Sequence, residues 1–256
     1  MGYQFQRRNT HRRRHMGTVI IIVLVVVTAG SVAALFLRGF KVQNLTDQLK
    51  NKELQTPAME VWLIETKGYD SKMAAYQAGM TTEDKGFGVY VLPDTNGQWT
   101  WVAGVYASEK DANDVLSQNV LSTTAKVEKY QIVGKKFKVD PAALEPCQQI
   151  LTTVQNVYNL LFELRMAVME NNEIKDLQLA LTTLYNQIKN NTETLQTLND
   201  KLQSQIIASL IYTANQNILG LQDIIYADTV DALSLATVNT ALLMTIFSLD
   251  NFSLFC

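Results

Sequence analysis

Apolar and polar positions along the chain divide it into parts with different periodicities. Residues 17–37 form an unbroken apolar run, residues 58–139 alternate in short segments, and residues 140–256 carry leucines at helical spacing. Alternation with a period of two predicts half-buried strands, whereas spacings of three and four predict amphipathic helices. The pattern therefore predicts an α+β chain in which a mixed module precedes an all-helical part.

The mixed module has the predicted order βαββαβ. Strands are expected at 60–66, 86–92, 98–106 and 126–133, with helices at 71–79 and 109–118. Ser108 is the predicted N-cap of the second helix, with Asp111 at the capping-box position. A weak repeat supports two βαβ halves, since Tyr69 and Tyr106 each end a strand two residues before a capping serine. This order predicts a single ferredoxin-like layer.

The helical part begins after Pro141 and contains a heptad pattern. Its a/d seam comprises Ile174, Leu177, Leu181, Leu184, Ile188, Asn191, Leu195, Leu198 and Leu202. A preceding helix repeats the pattern from Cys147 onwards, and residues 170–173 predict a turn between the two. We expect an antiparallel hairpin in which Asn191 either fixes the register or is a tolerated polar site. The seam is expected to mediate self-association or to bind a protein partner.

The end of the chain carries few charges. No Lys or Arg follows Lys201, and residues 232–249 form an uncharged stretch of 18 residues. Its Asn239 and its Ser and Thr residues favour a buried bundle helix, while its length leaves membrane re-entry open. Over residues 140–256, 4 basic groups stand against 12 acidic ones, so this surface is expected to face protein partners.

A single membrane crossing is predicted near the N-terminus. Residues 17–37 are 21 residues without a charge, about 31 Å long as a helix, which matches the hydrocarbon core. Five arginines precede this segment, while only Arg38 and Lys41 follow closely, which predicts a cytoplasmic N-terminus and an extracytoplasmic remainder. A cleavable signal peptide is the alternative, but apolar residues continue past its cleavage site. We therefore expect a single-pass protein of the cell membrane.

Together these patterns predict five regions. They are an Arg-rich cytoplasmic tail (1–16), a transmembrane helix (17–37), a partly helical polar stalk (38–57), the mixed module (58–139) and a coiled-coil-like helical domain (140–256).

The rarest side chains exclude several kinds of catalysis. Both histidines, His11 and His15, lie in the Arg-rich tail, so no later segment can supply a Ser/His/Asp triad or a His-ligated zinc. Cys147 and Cys256 are expected to be a buried free thiol and a chain-terminal one, with a bridge between them left open. Beyond residue 16, 17 basic groups against 24 acidic ones argue against nucleic-acid binding. We predict a non-enzymatic protein without cofactor or metal, although composition alone is compatible with a paired-carboxylate glycosidase.

The mixed module resembles a known family, most closely in its second half. Residues 99–116 read WTWVAGVYASEKDANDVL, with Gly104, Tyr106, Ser108 and Ala112 around the strand-to-helix corner. This stretch is similar to the SPOR domain, a βαββαβ module of bacterial envelopes that binds peptidoglycan glycan strands lacking stem peptides. The resemblance covers about 80 of 256 residues. It implies a ferredoxin-like fold that recognises glycan at a division or sporulation septum.

A glycan site is expected on the sheet face that the two helices leave open. Alternation along the strand places Trp99 and Trp101 on one face, where such a pair is more typical of a core than of a sugar platform. Thr100 and Val102 are therefore expected on the open face. The resemblance implies Glu65 as a third candidate, because it stands at a position of the family's ligand face. If the faces are reversed, the two tryptophans become the platform.

Two functions are compatible with these expectations. The first is a membrane-anchored protein whose SPOR-like module captures peptidoglycan glycan strands during cell division or sporulation. The second is a structural or scaffold protein of the envelope that acts through its helical domain, with a degenerate SPOR-like module. Binding to peptidoglycan stripped of its stem peptides would separate the two.

Overall fold

The computed structural model of the protein describes residues 53–94, 96–118, 121, 124–227 and 234–255, with side chains described as far as Ser253. The Arg-rich tail, the predicted membrane helix and most of the predicted stalk lie outside these residues. The single crossing at 17–37 therefore stays a prediction.

Six strands and six α-helices occupy the described residues. In chain order they are β1 (Glu53–Gln55), β2 (Met59–Tyr69), α1 (Lys72–Met80), β3 (Tyr90–Pro93), β4 (Trp99–Tyr106), α2 (Glu109–Leu116), β5 (Lys126–Ile132), β6 (Lys136–Lys138), α3 (Pro141–Met169), α4 (Lys175–Leu202), α5 (Gln205–Ile225) and α6 (Leu235–Phe255). The predicted α+β class is confirmed.

Four antiparallel strands form the main sheet, in the order β3-β4-β2-β5. Helix α1 connects β2 to β3, and α2 connects β4 to β5. Ser71 and Ser108 cap these helices, because each Oγ accepts the backbone N–H three residues further on, at 3.1 Å. The predicted cap at Ser108 is thus confirmed. Ala75 and Ala112 are buried in one cluster, so both helices pack on the same face of the sheet.

The first part of the predicted strand 86–92 is not a strand, since β3 begins only at Tyr90. Gly86 adopts φ +86°, a left-handed conformation that interrupts an extended chain and that glycine tolerates without strain. The sequence pattern could not show this turn, because the apolar run continues through it.

The register of β4 against β2 shifts within the sheet. Ile64 pairs with Gly104 but Glu65 pairs with Val102, so β4 holds one extra residue in a bulge. Trp101 packs towards α1 and α2, whereas Val102 packs towards the opposite side. The predicted alternation of this strand is therefore confirmed up to the bulge.

Helix α6 and part of α3 cover the second face of the sheet, and α4 and α5 pack against these two helices. One continuous set of buried apolar side chains joins Leu63 and Val102 of the sheet to Leu161 of α3 and Phe247 of α6. The sheet and the helical half share this core, and Asn51–Cys256 forms one compact unit. The proposed division at 139/140 is therefore a change of secondary structure within a shared core.

The predicted seam of α4 is used inside the chain. Ile174, Leu181, Ile188 and Leu195 lie seven residues apart and are buried in the common core, where α4 packs against α3 and α5. The expectation that this seam meets a second chain is corrected, because its most apolar positions are already covered. Asn191 is half-buried, and its role in the register stays a prediction.

A small second sheet lies at the N-terminal end of the described chain. Strand β1 pairs antiparallel with β6, placing Leu54 opposite Phe137, and both side chains are buried. Residues 53–57, which the sequence placed in the stalk, therefore belong to the folded body. Both strands are only three residues long, too short for a period-two pattern to be recognised.

Helix α6 contains most of the uncharged stretch 232–249. By length and composition alone, Leu235–Ser253 would be able to cross a membrane, yet 67% of the segment is buried inside the protein. The structure therefore uses it as a core helix, the arrangement that its Asn and Ser residues favour.

Candidate glycan-binding face

The three candidate ligand residues lie together on one face of the sheet. Glu65 and Val102 are directly opposite each other on β2 and β4, and Thr100 follows two residues along β4. Leu92 of β3 lies opposite Thr100 and extends the same face. The predicted alternation placed Thr100 and Val102 on one face, whereas the facing of Glu65 could not be decided from the sequence.

This face is not open to solvent. Val102 is 0% exposed, Thr100 4% and Glu65 9%. The expectation of an open face is wrong because α3 and α6 pack their apolar side chains against it, in the same cluster as Val102. A glycan strand could reach these residues only if the helices moved away.

The N-terminal half of helix α6 packs closely against the segment that leads into β3. A Cβ atom added to Gly88 would lie 2.8 Å from the backbone nitrogen of Thr240, so only glycine allows this approach. The N–H of Val89 donates to Thr240 Oγ1 at 3.1 Å, and Asn239 Nδ2 donates to the carbonyl oxygen of Gly86 at 2.8 Å. These contacts seat the helix on the chain that leads into β3.

Aromatic rings hold the middle of α6 against the sheet. The Phe247 ring stacks on Tyr90 with centroids 4.6 Å apart and meets the edge of Tyr130 at 5.4 Å. The Tyr130 hydroxyl donates to the carboxylate of Asp250 at 2.5 Å. Burial and this hydrogen bond raise the pKa of Tyr130, so its proton stays on the phenol at neutral pH.

Polar groups lie at one end of this sheet face. Lys67 Nζ lies 2.5 Å from Glu65 Oε1 and 3.7 Å from Glu128 Oε1. The hydrogen bond with Glu65 raises the pKa of Lys67, which remains a cation at neutral pH. Thr100 Oγ1 is buried without a hydrogen-bond partner. Glu65 thus serves an ion pair within the chain, and Thr100 contributes no satisfied polar contact.

A buried arginine marks the other end of this face. Arg165 of α3 donates to the carbonyl oxygen of Val105 at 2.6 Å, and its guanidinium lies 4.8 Å from the Tyr106 ring centroid and 4.5 Å from that of Phe162. Burial lowers the pKa of Arg165 and raises the pKa of Tyr106 to about 12. No carboxylate of the described residues lies within ion-pair distance of Arg165. Cation–π contacts therefore stabilise this charge.

The opposite face does not offer a tryptophan platform. Trp101 is buried and donates its indole N–H to the carbonyl oxygen of Gly88 at 3.1 Å, and Trp99 packs partly buried against the same cluster. The expectation that this pair belongs to a core is confirmed. Within the described part of the chain, both faces of the sheet are occupied by its own helices.

Metal binding and thiol chemistry find little support in the described residues. These residues contain no group of three or more His, Cys, Asp or Glu side chains that could hold a metal ion. Cys147 is a buried free thiol, and burial raises its pKa to about 12, so it is not nucleophilic at neutral pH. Cys256 lies outside the described residues.

The sequence did carry a signal for the covered face. Both β2 and β4 carry apolar side chains on both faces of the sheet. In β2, Leu63 and Ile64 point to opposite faces, and in β4, Trp101 and Val102 do the same. Near-continuous apolar strands are typical of sheets covered on both faces, whereas strands of sheets with one solvent-exposed face alternate apolar and polar residues.

Comparison with known proteins adds no constraint, since no family model, curated protein or solved structure matches this chain.

Proposed function

We propose that the protein is a non-enzymatic structural or adaptor protein of the bacterial envelope, held to the membrane by its predicted N-terminal helix. The SPOR-like module and the helices form one folded unit, and the outer surface of that unit carries the function. The proposal is supported above all by the burial of Val102 and Thr100 beneath α3 and α6.

The module itself fits this role as a platform for helices. The strand order β3-β4-β2-β5, with a helix in each crossover, agrees with a ferredoxin-like layer and hence with the resemblance to SPOR domains. The second face of that layer is lined by apolar residues such as Leu63, Val105 and Ile132. Apolar side chains of this kind suit helix packing, whereas sugars are bound by polar groups and exposed aromatic rings.

Peptidoglycan pull-down tests the proposal against glycan capture on the sheet. Full-length protein in detergent is mixed with purified sacculi, with and without amidase treatment that removes stem peptides. We expect no increase in binding after stripping, because the face that would hold the glycan is covered. Binding that rises after stripping, and that Val102→Ala changes without loss of folding, would overturn the proposal in favour of glycan recognition.

The membrane anchor is tested separately by topology. A reporter fused after Cys256 should be active only outside the cytoplasm, because five arginines precede the apolar segment 17–37. Replacing Arg12, Arg13 and Arg14 together should scramble this orientation. Cytoplasmic activity of the unmodified fusion would contradict the proposed topology.

A further inference from the structure

Arg165 of α3 is the one arginine of the chain after residue 38, and it is buried. Only 7% of its surface is exposed, whereas every described lysine except Lys135 is exposed. Removing a charge from water costs free energy that its contacts within the protein must offset. The contacts of this guanidinium therefore show how far the chain itself stabilises the charge.

Those contacts leave part of the guanidinium free. A guanidinium carries five N–H donors in a planar fork, and here Nη1 donates to the carbonyl oxygen of Val105. The Nε and Nη2 atoms of Arg165 have no acceptor among the described residues. They are not fully enclosed either, because the enclosed polar side-chain atoms without a partner belong to Glu65, Thr100, Asn217, Asn239 and Ser253. One edge of the fork therefore reaches the surface with its donors unpaired.

The neighbourhood of Arg165 on α3 is apolar. The rings of Tyr106 and Phe162 contact the guanidinium, with centroids 4.8 and 4.5 Å from its carbon atom. Met166 and Met169 are 48% and 56% exposed, and Met169 lies one helical turn beyond Arg165. Arginine, aromatic residues and methionine are the side chains enriched at the centres of protein interfaces. The surroundings of the free edge thus resemble a contact surface for a polypeptide.

No carboxylate of the described chain contacts Arg165. Asp111, at the start of α2, attracts the charge electrostatically, but none of the ion pairs formed by the described residues includes Arg165. A carboxylate is planar, and its two oxygens match two parallel N–H donors of a guanidinium. Its single charge is also repelled less by Asp111 than the charge of a phosphate would be.

We propose that Arg165 binds a carboxylate of a partner polypeptide through its Nε–Nη2 edge, while Nη1 keeps its hydrogen bond to Val105. Charge complementarity defines this occupant, because the partner supplies the anion that the described chain does not place against Arg165. Apolar side chains beside that carboxylate would contact Met166 and Met169. Since two rings already fix the guanidinium, binding costs little side-chain freedom. The inference goes beyond the proposed function and stands without it, because it depends on the contacts of Arg165 and not on the membrane anchor.

NMR of the arginine side chains tests the site with acetate as the first probe. Full-length protein with isotope-labelled arginine is studied in detergent, where the Nε–Hε signal of Arg165 is the one that Arg165→Lys removes. Acetate that replaces chloride at constant ionic strength should shift this signal with an apparent affinity at least about fivefold above that of the arginines within residues 1–38. An equal response of all arginines would overturn the proposal.

Short peptides test whether the ligand is a polypeptide. The end-blocked peptide Leu-Glu-Leu should bind at least about threefold more tightly than acetate, because its leucines can contact the exposed methionines. Leu-Gln-Leu, which lacks the carboxylate, should not shift the Arg165 signal. If Leu-Glu-Leu binds no more tightly than acetate, or if inorganic phosphate binds more tightly than acetate, the assignment to a carboxylate of a partner polypeptide is wrong.

Melting temperatures supply a second readout. Replacing chloride by acetate should raise the melting temperature of the unmodified chain, and Arg165→Lys should lose at least about half of that rise, because an ammonium lacks the planar fork. Lys138→Met removes an exposed cation on β6 and is the matched control, which should keep the full rise. Arg165→Met, in which no charge is buried, makes the same comparison if the lysine variant does not fold. A full acetate-dependent rise in the Arg165 variants would contradict the proposal.

Discussion

The backbone N–H of Val89 donates a hydrogen bond to the side chain of Thr240 across 151 residues of chain, at 3.1 Å. This bond joins the segment that leads into β3 to the helix that covers the sheet. It shows that α6 is seated by a specific polar contact as well as by apolar packing. The covered face is therefore a specific interface between two parts of one chain.

Thr240→Val should lower the free energy of unfolding by about 1–3 kcal/mol, because the N–H of Val89 loses its partner in a partly buried place. Denaturant titration of the full-length protein measures this change. The matched control is Thr183→Val, where an exposed hydroxyl bonds only within its own helix. If both variants lose the same stability, the contact between Val89 and Thr240 does not contribute.

Two glycines that lie against α6 should respond differently to alanine. Gly88→Ala places a methyl group 2.8 Å from the backbone of Thr240 and should destabilise by about 1–3 kcal/mol, as overpacking does. Gly220→Ala meets Met244 only at 3.4 Å and improves helix propensity, so it should be neutral or stabilise by up to about 1 kcal/mol. Melting temperatures of the two variants give the comparison.

Two substitutions on the covered face separate it from an open one. Val102→Glu should cost several kcal/mol, because a carboxylate would be buried among apolar side chains without a partner. Thr100→Val should be neutral or stabilising, because it removes a buried hydroxyl that has no hydrogen-bond partner. If Val102→Glu keeps its melting temperature within a few degrees, the face is exposed in solution and glycan capture returns as the better hypothesis.

Alkaline pH should destabilise the protein through its buried acids, of which Cys147 and Tyr106 ionise in the most accessible pH range. Burial raises the pKa of Cys147 and of Tyr106 to about 12, from ordinary values of 9.0 and 10.0. A raised pKa in the folded state means that the unfolded chain ionises first, so stability is intact below pH about 9 and falls as the pH rises towards 12. Each group contributes a slope of about 1.4 kcal/mol per pH unit within its window.

Denaturation of the Cys147→Ala variant between pH 8 and 11 isolates one of these groups. The variant starts from a lower stability. Above pH 9, however, its free energy of unfolding should fall less steeply with pH than that of the unmodified chain, by the contribution of about one proton. Equal slopes in both proteins would mean that the thiol ionises as readily in the folded state as in the unfolded state.

Periodicity was sufficient to predict most of the elements. Serine caps, alternating strands and heptad leucines depend on local sequence, so Ser108, β2 and α4 were found close to where the structure has them. The helical pattern did not reveal its partner, because an a/d seam looks the same whether it packs within a chain or between chains. The buried positions of α4 were therefore predicted, but the pattern could not show whether they pack within the chain or against a second chain.

The exposure of the sheet could not be decided by a local pattern. Whether Val102 faces solvent depends on where α6 packs, and the two are separated by more than a hundred residues. The signs were Gly88 and Asn239, a glycine without an evident turn and an amide within an apolar stretch. Each is ordinary alone, and their contact emerges only when the two segments are brought together.

The position of α6 at the end of the chain matters for how the protein is made. All four strands of the main sheet are synthesised before the helix that covers their second face. Until α6 arrives, the apolar surface around Leu63 and Val105 is covered only in part within the chain, and such transient surfaces promote aggregation. A chain that stalls before Leu235 should therefore depend on chaperones, whereas a chain that includes α6 shields this apolar surface itself.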